Sequence, residues 1–259
     1  MSCLRRARLA LAALLLVSPA WADDSRLADI LKRGVLRVGT TGDYRPFTSL
    51  DKTSGTYSGF DIDLARSLAD ALGVRVEFAP TSWPNLARDF EAGNFDMAMG
   101  GVSVTLDRAK RGYFSEPYLR EGKTPIARCA DKDRFAELDA IDRSGVKVIV
   151  NPGGTNERFD RAHLHAAEIV LHPDNTTIFD ALAAGEADVM ITDASETRYQ
   201  QKIHPGVLCA VHPDHPFDFA EKAYWMPFDQ PLRAFVDEWL HMTKENGSYD
   251  AIYARWFNP

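Results

Sequence analysis

The chain has 259 residues, 30 Lys and Arg against 37 Asp and Glu, and a formal charge of −7. An acidic chain is a poor partner for nucleic acid or anionic lipid, so an anionic ligand would have to be met by a few local basic groups. The length suffices for one large core or two small ones.

Arg5, Arg6 and Arg8 open the chain, Leu9 to Val17 is an unbroken apolar run, and Ala20-Trp21-Ala22 supplies small residues for cleavage. The pattern predicts a secretory signal peptide over 1–22. The run falls short of the roughly 20 apolar residues that an anchor needs, and no later segment is long and apolar enough to cross a membrane. Residues 23–259 are therefore expected in the periplasm, off the membrane. Loss of a leader with three arginines and no acid takes the formal charge from −7 to −10. Cys3 leaves with it. Cys129 and Cys209 remain, an even pair in an oxidising compartment, either bridged or two buried thiols.

Ser25–Arg33 reads as a short helix ended by Gly34, and Val35–Val38 as a strand that opens onto the Gly- and Pro-marked loop Thr40–Phe47. Asp61–Leu72 has a helical apolar period and stops at Gly73. Val74–Phe78 alternates as a strand, and Ser82-Trp83-Pro84 turns into the next helix. Thr124–Cys129 is expected to cross into a second lobe. Gly145–Val150 then repeats the role of Gly34–Val38 and opens onto Asn151–Asn156. Helix Glu157–His165, strand Glu168–Leu171 and helix Ile178–Ala184 follow, with the return crossing near Val207–Val211. Strand Lys222–Met226 and helices Pro231–Lys244 and Tyr249–Phe257 close the chain. Alternating strands and helices argue for parallel-rich sheets covered on both faces.

Two stretches share one layout. Residues 84–105 read helix, then Gly93, Asp96, the apolar run Met97–Met99 and polar Gly100–Ser103. Residues 178–196 read helix, then Gly185, Asp188, the apolar run Val189–Ile191 and polar Thr192–Glu196. A duplicated α/β unit with polar groups at the carboxyl ends of its strands predicts two lobes with a site in the cleft between them. The expected division is lobe 1 over 23–127 plus 213–259 and lobe 2 over 128–212.

Several residues can carry chemistry there. Gly153-Gly154-Thr155-Asn156, between a strand and a helix, reads as an anion-facing amide cluster or as a tight turn. Arg108 can grip a carboxylate through two parallel hydrogen bonds, with hydroxyls from Ser103 and Thr105, or it is a surface arginine. Asp193 and Glu196 read as a capping box, or as two carboxylates facing the cleft, one for a ligand ammonium and one to donate a proton. Trp83 walls a pocket or packs in a core. The histidines have no metal-ligand spacing, and neither a P-loop nor a dinucleotide fingerprint is present. No metal or cofactor is expected, and no pattern fixes the oligomeric state, so a homo-oligomer stays open.

Thr40–Phe47 with its Tyr44, Gly59–Ala65, Ser103–Arg108, Tyr113–Tyr118, Gly154-Thr155 and Gly247–Phe257 resemble the periplasmic polar amino-acid-binding proteins over nearly all of the mature chain. The resemblance implies the type II periplasmic binding-protein fold, two α/β lobes joined by two crossing strands. It also implies that Arg108 and Ser103 hold a ligand α-carboxylate near Thr105, Thr155 and Tyr44, with Asp193 by its α-amino group. Pro80–Leu86, Asn151–Glu157, His172–Asn175, Thr192–Glu196 and Pro216–Tyr224 more particularly resemble the cyclohexadienyl dehydratases, exported enzymes on that fold that act on prephenate and L-arogenate without a cofactor. The resemblance to them implies that Trp83, Asn156 and Glu196 are catalytic, with Glu196 as general acid. The rival expectation is an amino-acid receptor of an ABC importer.

Overall fold

The computed structural model describes residues 25–257; the expected signal peptide lies outside them. Two five-stranded sheets organise the chain. In the first, the strand order is Arg75–Pro80, Val35–Thr40, Met97–Ala98, Trp225–Met226, Tyr113–Phe114, with parallel pairing up to Met97–Ala98 and antiparallel pairing beyond. In the second, the order is Glu168–Leu171, Lys147–Val150, Val189–Asp193, Lys123–Arg128, Leu208–Ala210, again two parallel pairings followed by two antiparallel ones. This is the expected two-lobed α/β architecture.

The duplicated stretches fold alike. Gly185 ends its helix in the left-handed region, at φ 83°, and Gly93 takes the same conformation at 68°, where a side chain would be strained. Three residues on, each aspartate turns back onto the first strand of its lobe. Asp96 Oδ2 accepts the Arg37 N–H at 2.8 Å, and Asp188 Oδ2 accepts the Lys147 N–H at 2.8 Å. The repeated Gly-x-x-Asp is therefore a clamp that starts a parallel pair. It sends both following strands toward the cleft.

The crossings differ from expectation. Thr124–Cys129 and Val207–Val211 were expected to link the lobes, yet their residues form strands of the second sheet, bonded at Leu208↔Arg128, Cys209↔Ala127 and Ala210↔Ile126. The link is the antiparallel pair Leu119–Glu121 and Ala220–Lys222. The physical reason is apolarity: the Lys123–Arg128 strand is buried over five of its six residues, which suits a central strand rather than a hinge. The expected division at 127/128 thus falls inside a strand of the second sheet.

Apolar burial follows the sheets. Ile62, Leu64, Ala65, Leu68 and Ala69 of the helix Phe60–Leu72 are buried in the first lobe. Val148, Ile149, Val189, Met190 and Ile191 fill the two faces of the second sheet. Cys129 and Cys209 form a disulfide across 80 residues of sequence, so the bridged alternative holds. Asp61, fully buried, accepts the Gly101 N–H at 2.6 Å and the Tyr118 hydroxyl at 2.7 Å. It pins the Gly100–Ser103 loop at the rim of the cleft.

Candidate functional site

The cleft holds two cavities that share Asn175. One is narrow and draws Tyr44, Trp83, Ser103 and Lys222 from one lobe and Thr155, Asn156 and Asp193 from the other. The second, roomier one is lined by Asp43, Asn175 and Glu196 among others. The lobes meet closely beside them: a Cβ at Gly153, whose φ is +82°, would stand 2.7 Å from the backbone of Pro84 in the other lobe.

Asp193 is the single acid lining the first cavity. It ends the strand Val189–Asp193 and starts the helix Ala194–Ile203, but its side chain makes no capping bond. Instead Oδ1 accepts the Lys123 ammonium at 2.7 Å and Oδ2 accepts the Lys222 ammonium at 2.5 Å. The Tyr44 hydroxyl also donates to Oδ2. All four side chains are nearly sealed from solvent. Buried charges persist only when paired; here burial pushes the Asp193 carboxyl up, but the two lysines outweigh it and hold it below its ordinary value. Lys222 also donates to Ser103 Oγ at 2.9 Å. Its own charge is favoured by Asp193 and Glu121 against the cost of burial.

Glu196 sits in the first turn of the same helix with 1 % of its surface exposed. It does not close a capping box. Its Oε2 accepts the Thr192 hydroxyl at 2.6 Å, and Thr192 Oγ1 accepts the Asn156 Nδ2–H at 2.9 Å. Asn156 Oδ1 in turn accepts a hydrogen from Lys123. Every bond in this chain donates toward the carboxyl, which favours its ionised form. Burial acts the other way and prevails: desolvation first, aided by the Asp193 charge, pushes Glu196 up to about 8. At neutral pH the group is mostly a carboxylic acid.

Arg108 is buried, and its Nη1 donates to the Ser103 carbonyl at 2.8 Å. It stands behind the cavity wall rather than at the surface. Desolvation, with Arg158 nearby, lowers it to about 10, so it stays charged at neutral pH. Thr105 is not brought to the cavity; its Oγ1 caps the short helix Leu106–Ala109 by accepting the Arg108 N–H at 3.3 Å. Thr155 Oγ1 lies 3.1 Å from the Lys123 ammonium. The amide cluster expected at 153–156 is partly occupied, because the Gly153 N–H donates to Glu157 at 2.7 Å. The Trp83 indole donates to Asp43 Oδ1 at 3.1 Å and packs edge-on against Tyr44.

Against known proteins, the family model for bacterial extracellular solute-binding proteins, family 3, matches residues 36–259. The chain belongs to that family. A curated relative, cyclohexadienyl dehydratase of Pseudomonas aeruginosa, is 54 % identical over 239 residues, spanning 92 % of this chain and 88 % of that one. Among solved structures, an ancestral amino-acid-binding protein described as a precursor of cyclohexadienyl dehydratase superposes with a TM-score of 0.83 at 37 % identity, covering 90 % of this chain and 100 % of that one. An ancestral cyclohexadienyl dehydratase matches at 52 % identity and a TM-score of 0.57, covering 91 % and 97 %. The similarity expected from the motifs is thus found over almost the whole chain.

Sequence reasoning missed Lys123 and Lys222 as site residues. Both begin or end apolar strands, in Lys123-Thr-Pro-Ile-Ala and Ala-Glu-Lys222-Ala-Tyr-Trp-Met, and a lysine inside such a run signals a buried charge with a partner. Asp43, Asn175 and Glu121 were missed as well. Glu121 accepts the Ser195 N–H at 2.8 Å and stands 3.7 Å from the Lys222 ammonium. Among the described residues no group of three His, Cys, Asp or Glu side chains is arranged to hold a metal ion, and no helix is long and apolar enough to cross a membrane.

Proposed function

We propose that this chain is an exported, periplasmic cyclohexadienyl dehydratase, a carbon–oxygen lyase that turns prephenate into phenylpyruvate and L-arogenate into L-phenylalanine, with Glu196 as general acid. The observation that carries the reading is the sealed, mostly protonated Glu196 carboxyl in the cavity that adjoins, at Asn175, the one lined by Lys222. The substrate ring carries a carboxylate and, across from it, a hydroxyl. As the ring carboxylate leaves as carbon dioxide, its bonding electrons enter the ring and the carbon–oxygen bond breaks. Hydroxide is a poor leaving group, so the oxygen takes the Glu196 proton and departs as water. The Glu196 carboxylate then regains a proton from solvent. Aromatisation drives the reaction, and no cofactor is called for.

The substrate's two carboxylates are drawn by Lys222 in the cavity lining and by Lys123 and Arg108 behind it, which bond the lining residues Asp193 and Ser103. Arg108 with Ser103 anchors the side-chain carboxylate. Asn156 and Thr192 orient the acid, and the leaving oxygen lies toward Asn175, where the two cavities meet. Asp193 is already bonded by two lysines and a tyrosine, so the α-ammonium of L-arogenate, like that of an amino acid in the receptor reading, would share it with those donors.

The test is direct. Purified mature protein is mixed with prephenate and phenylpyruvate is read by its absorbance in base. Enzymatic turnover supports the proposal; absence of product, together with a raised melting temperature in a common amino acid, would make the chain a receptor.

A further inference from the structure

Asp43 takes no part in the chemistry above, yet it sits where the cleft's parts meet. It follows the strand Val35–Thr40 and pairs with Ser49 in a small three-stranded sheet. Its Oδ1 accepts the Trp83 indole N–H at 3.1 Å. Its peptide carbonyl accepts the Asn175 Nδ2–H, from the opposite lobe, at 2.9 Å. Its side chain lines the same cavity as Glu196.

Trp83 is half-buried and packs at the margin of two apolar clusters, with Tyr44 edge-on at 5.5 Å between ring centroids. Those contacts are non-directional, and the hydrogen bond at Nε1 fixes which way the indole edge points. Asn175 is buried, and its amide donates only to the Asp43 carbonyl, which fixes the orientation of that amide and leaves its Oδ1 without a protein partner at the boundary of the two cavities. Burial pushes the Asp43 carboxyl up and prevails, against the nearby Thr41 hydroxyl and then the Trp83 indole hydrogen bond, each of which favours the ionised acceptor.

We propose that Asp43 is a positioning residue, whose carboxylate fixes the Trp83 indole in the cleft and whose peptide carbonyl, gripped by Asn175, ties that placement to closure of the lobes. The kinetic arm of its test rests on the dehydratase reading; the spectroscopic arm does not.

Asp43→Ala and Asp43→Asn are compared in the wild-type chain and in a Trp83→Phe background, with circular dichroism and melting to establish folding. Asp43→Ala should lower kcat about 100-fold with KM changed less than about threefold, the cost of a misplaced group rather than of lost binding. Asp43→Asn keeps an oxygen for the indole and should recover to within about tenfold of wild type. In Trp83→Phe, Asp43→Ala should cost less than about threefold, because the group it positions is gone. Asn175→Ala should lower kcat about tenfold, and less than about threefold once Trp83 is Phe. Equal losses in both backgrounds, or Asn no better than Ala, would overturn the proposal; additivity for Asn175 alone would remove its closure half. The emission of Trp83, taken as wild type minus Trp83→Phe, should shift in Asp43→Ala and be kept in Asp43→Asn. Unchanged emission in Asp43→Ala refutes the positioning role whether or not the protein turns over prephenate. If wild type makes no phenylpyruvate, or Trp83→Phe is too slow to measure, this emission decides. If Asp43→Ala does not fold, Asp43→Asn and Asn175→Ala decide, since a loss of turnover and of Trp83 emission as large in Asn as in a Trp83 deletion would sink the proposal.

Discussion

Replacing Glu196 by Gln removes one proton and little else. The glutamine oxygen can still accept the Thr192 hydroxyl that lies 2.6 Å from Oε2, and the side chain keeps its volume in a site that is 1 % exposed. With its carboxyl at about 8, wild-type Glu196 is about nine-tenths protonated at pH 7, whereas an ordinary glutamic acid would be well under about one per cent protonated. Removing a positioned general acid costs typically about 10²–10⁴ in rate, so kcat for prephenate should fall at least about 100-fold. KM should change only a few-fold, since the cations that meet the carboxylates are untouched. The pH profile supplies the sign. Wild-type kcat should be level below about pH 7 and fall tenfold per unit above about 8, where the acid ionises, and the residual rate of Glu196→Gln should lack that limb. Stability follows the same proton. A carboxyl raised in the folded state adds stability that is complete below the ordinary 4.5 and is lost as pH rises through about 8. Denaturant unfolding should therefore show the Gln variant gaining on wild type between those limits. A variant with more than about a tenth of wild-type kcat, or one whose rate still falls above pH 8, would refute the general-acid argument.

Lys123→Met leaves Asn156 Oδ1 without its ammonium donor and Asp193 with one lysine; KM for prephenate should rise at least about tenfold, as for a truncated buried charge. Because Lys123 lowers Glu196, the alkaline limb of kcat in that variant should move to higher pH. Gly153→Ala places a methyl 2.7 Å from the Pro84 backbone at φ +82°; the lobes should close less fully, which small-angle scattering with substrate would show as a larger radius, with kcat and KM both impaired. Cys129→Ser opens a disulfide spanning 80 residues and should lower unfolding free energy by about 2–4 kcal/mol in urea titration. A smaller loss would mean that the unfolded chain is already compact.

How much of this is legible in the sequence depends on the kind of interaction. The repeated Gly-x-x-Asp was visible because each aspartate acts locally, on the strand beside its own. Helix ends at Gly34, Gly73 and Gly185 were visible for the same reason. The crossing strands were misplaced because an apolar six-residue run looks the same whether it crosses between lobes or lies inside a sheet, and only its pairing with Leu208–Ala210 decides. Glu196 and Asp193 had two readings from spacing, cap or cleft. Glu196 bonds Thr192, four residues back, but partners remote in sequence decide for Asp193: Lys123 and Lys222 stand 70 and 29 residues away. No pattern along the chain encodes that contact. Thr105 shows the reverse error, a hydroxyl next to a candidate arginine whose actual partner is that arginine's own backbone.

The central claim is a carboxylic acid held neutral at position 196 in the folded protein at pH 7. Infrared difference spectroscopy of wild type against Glu196→Gln, titrated from pH 5 to 10, reads it directly. A protonated carboxyl C=O band present in wild type at pH 7, absent from the variant and lost with a midpoint near 8 is the expected result. A carboxylate signal already complete at pH 7 would contradict it.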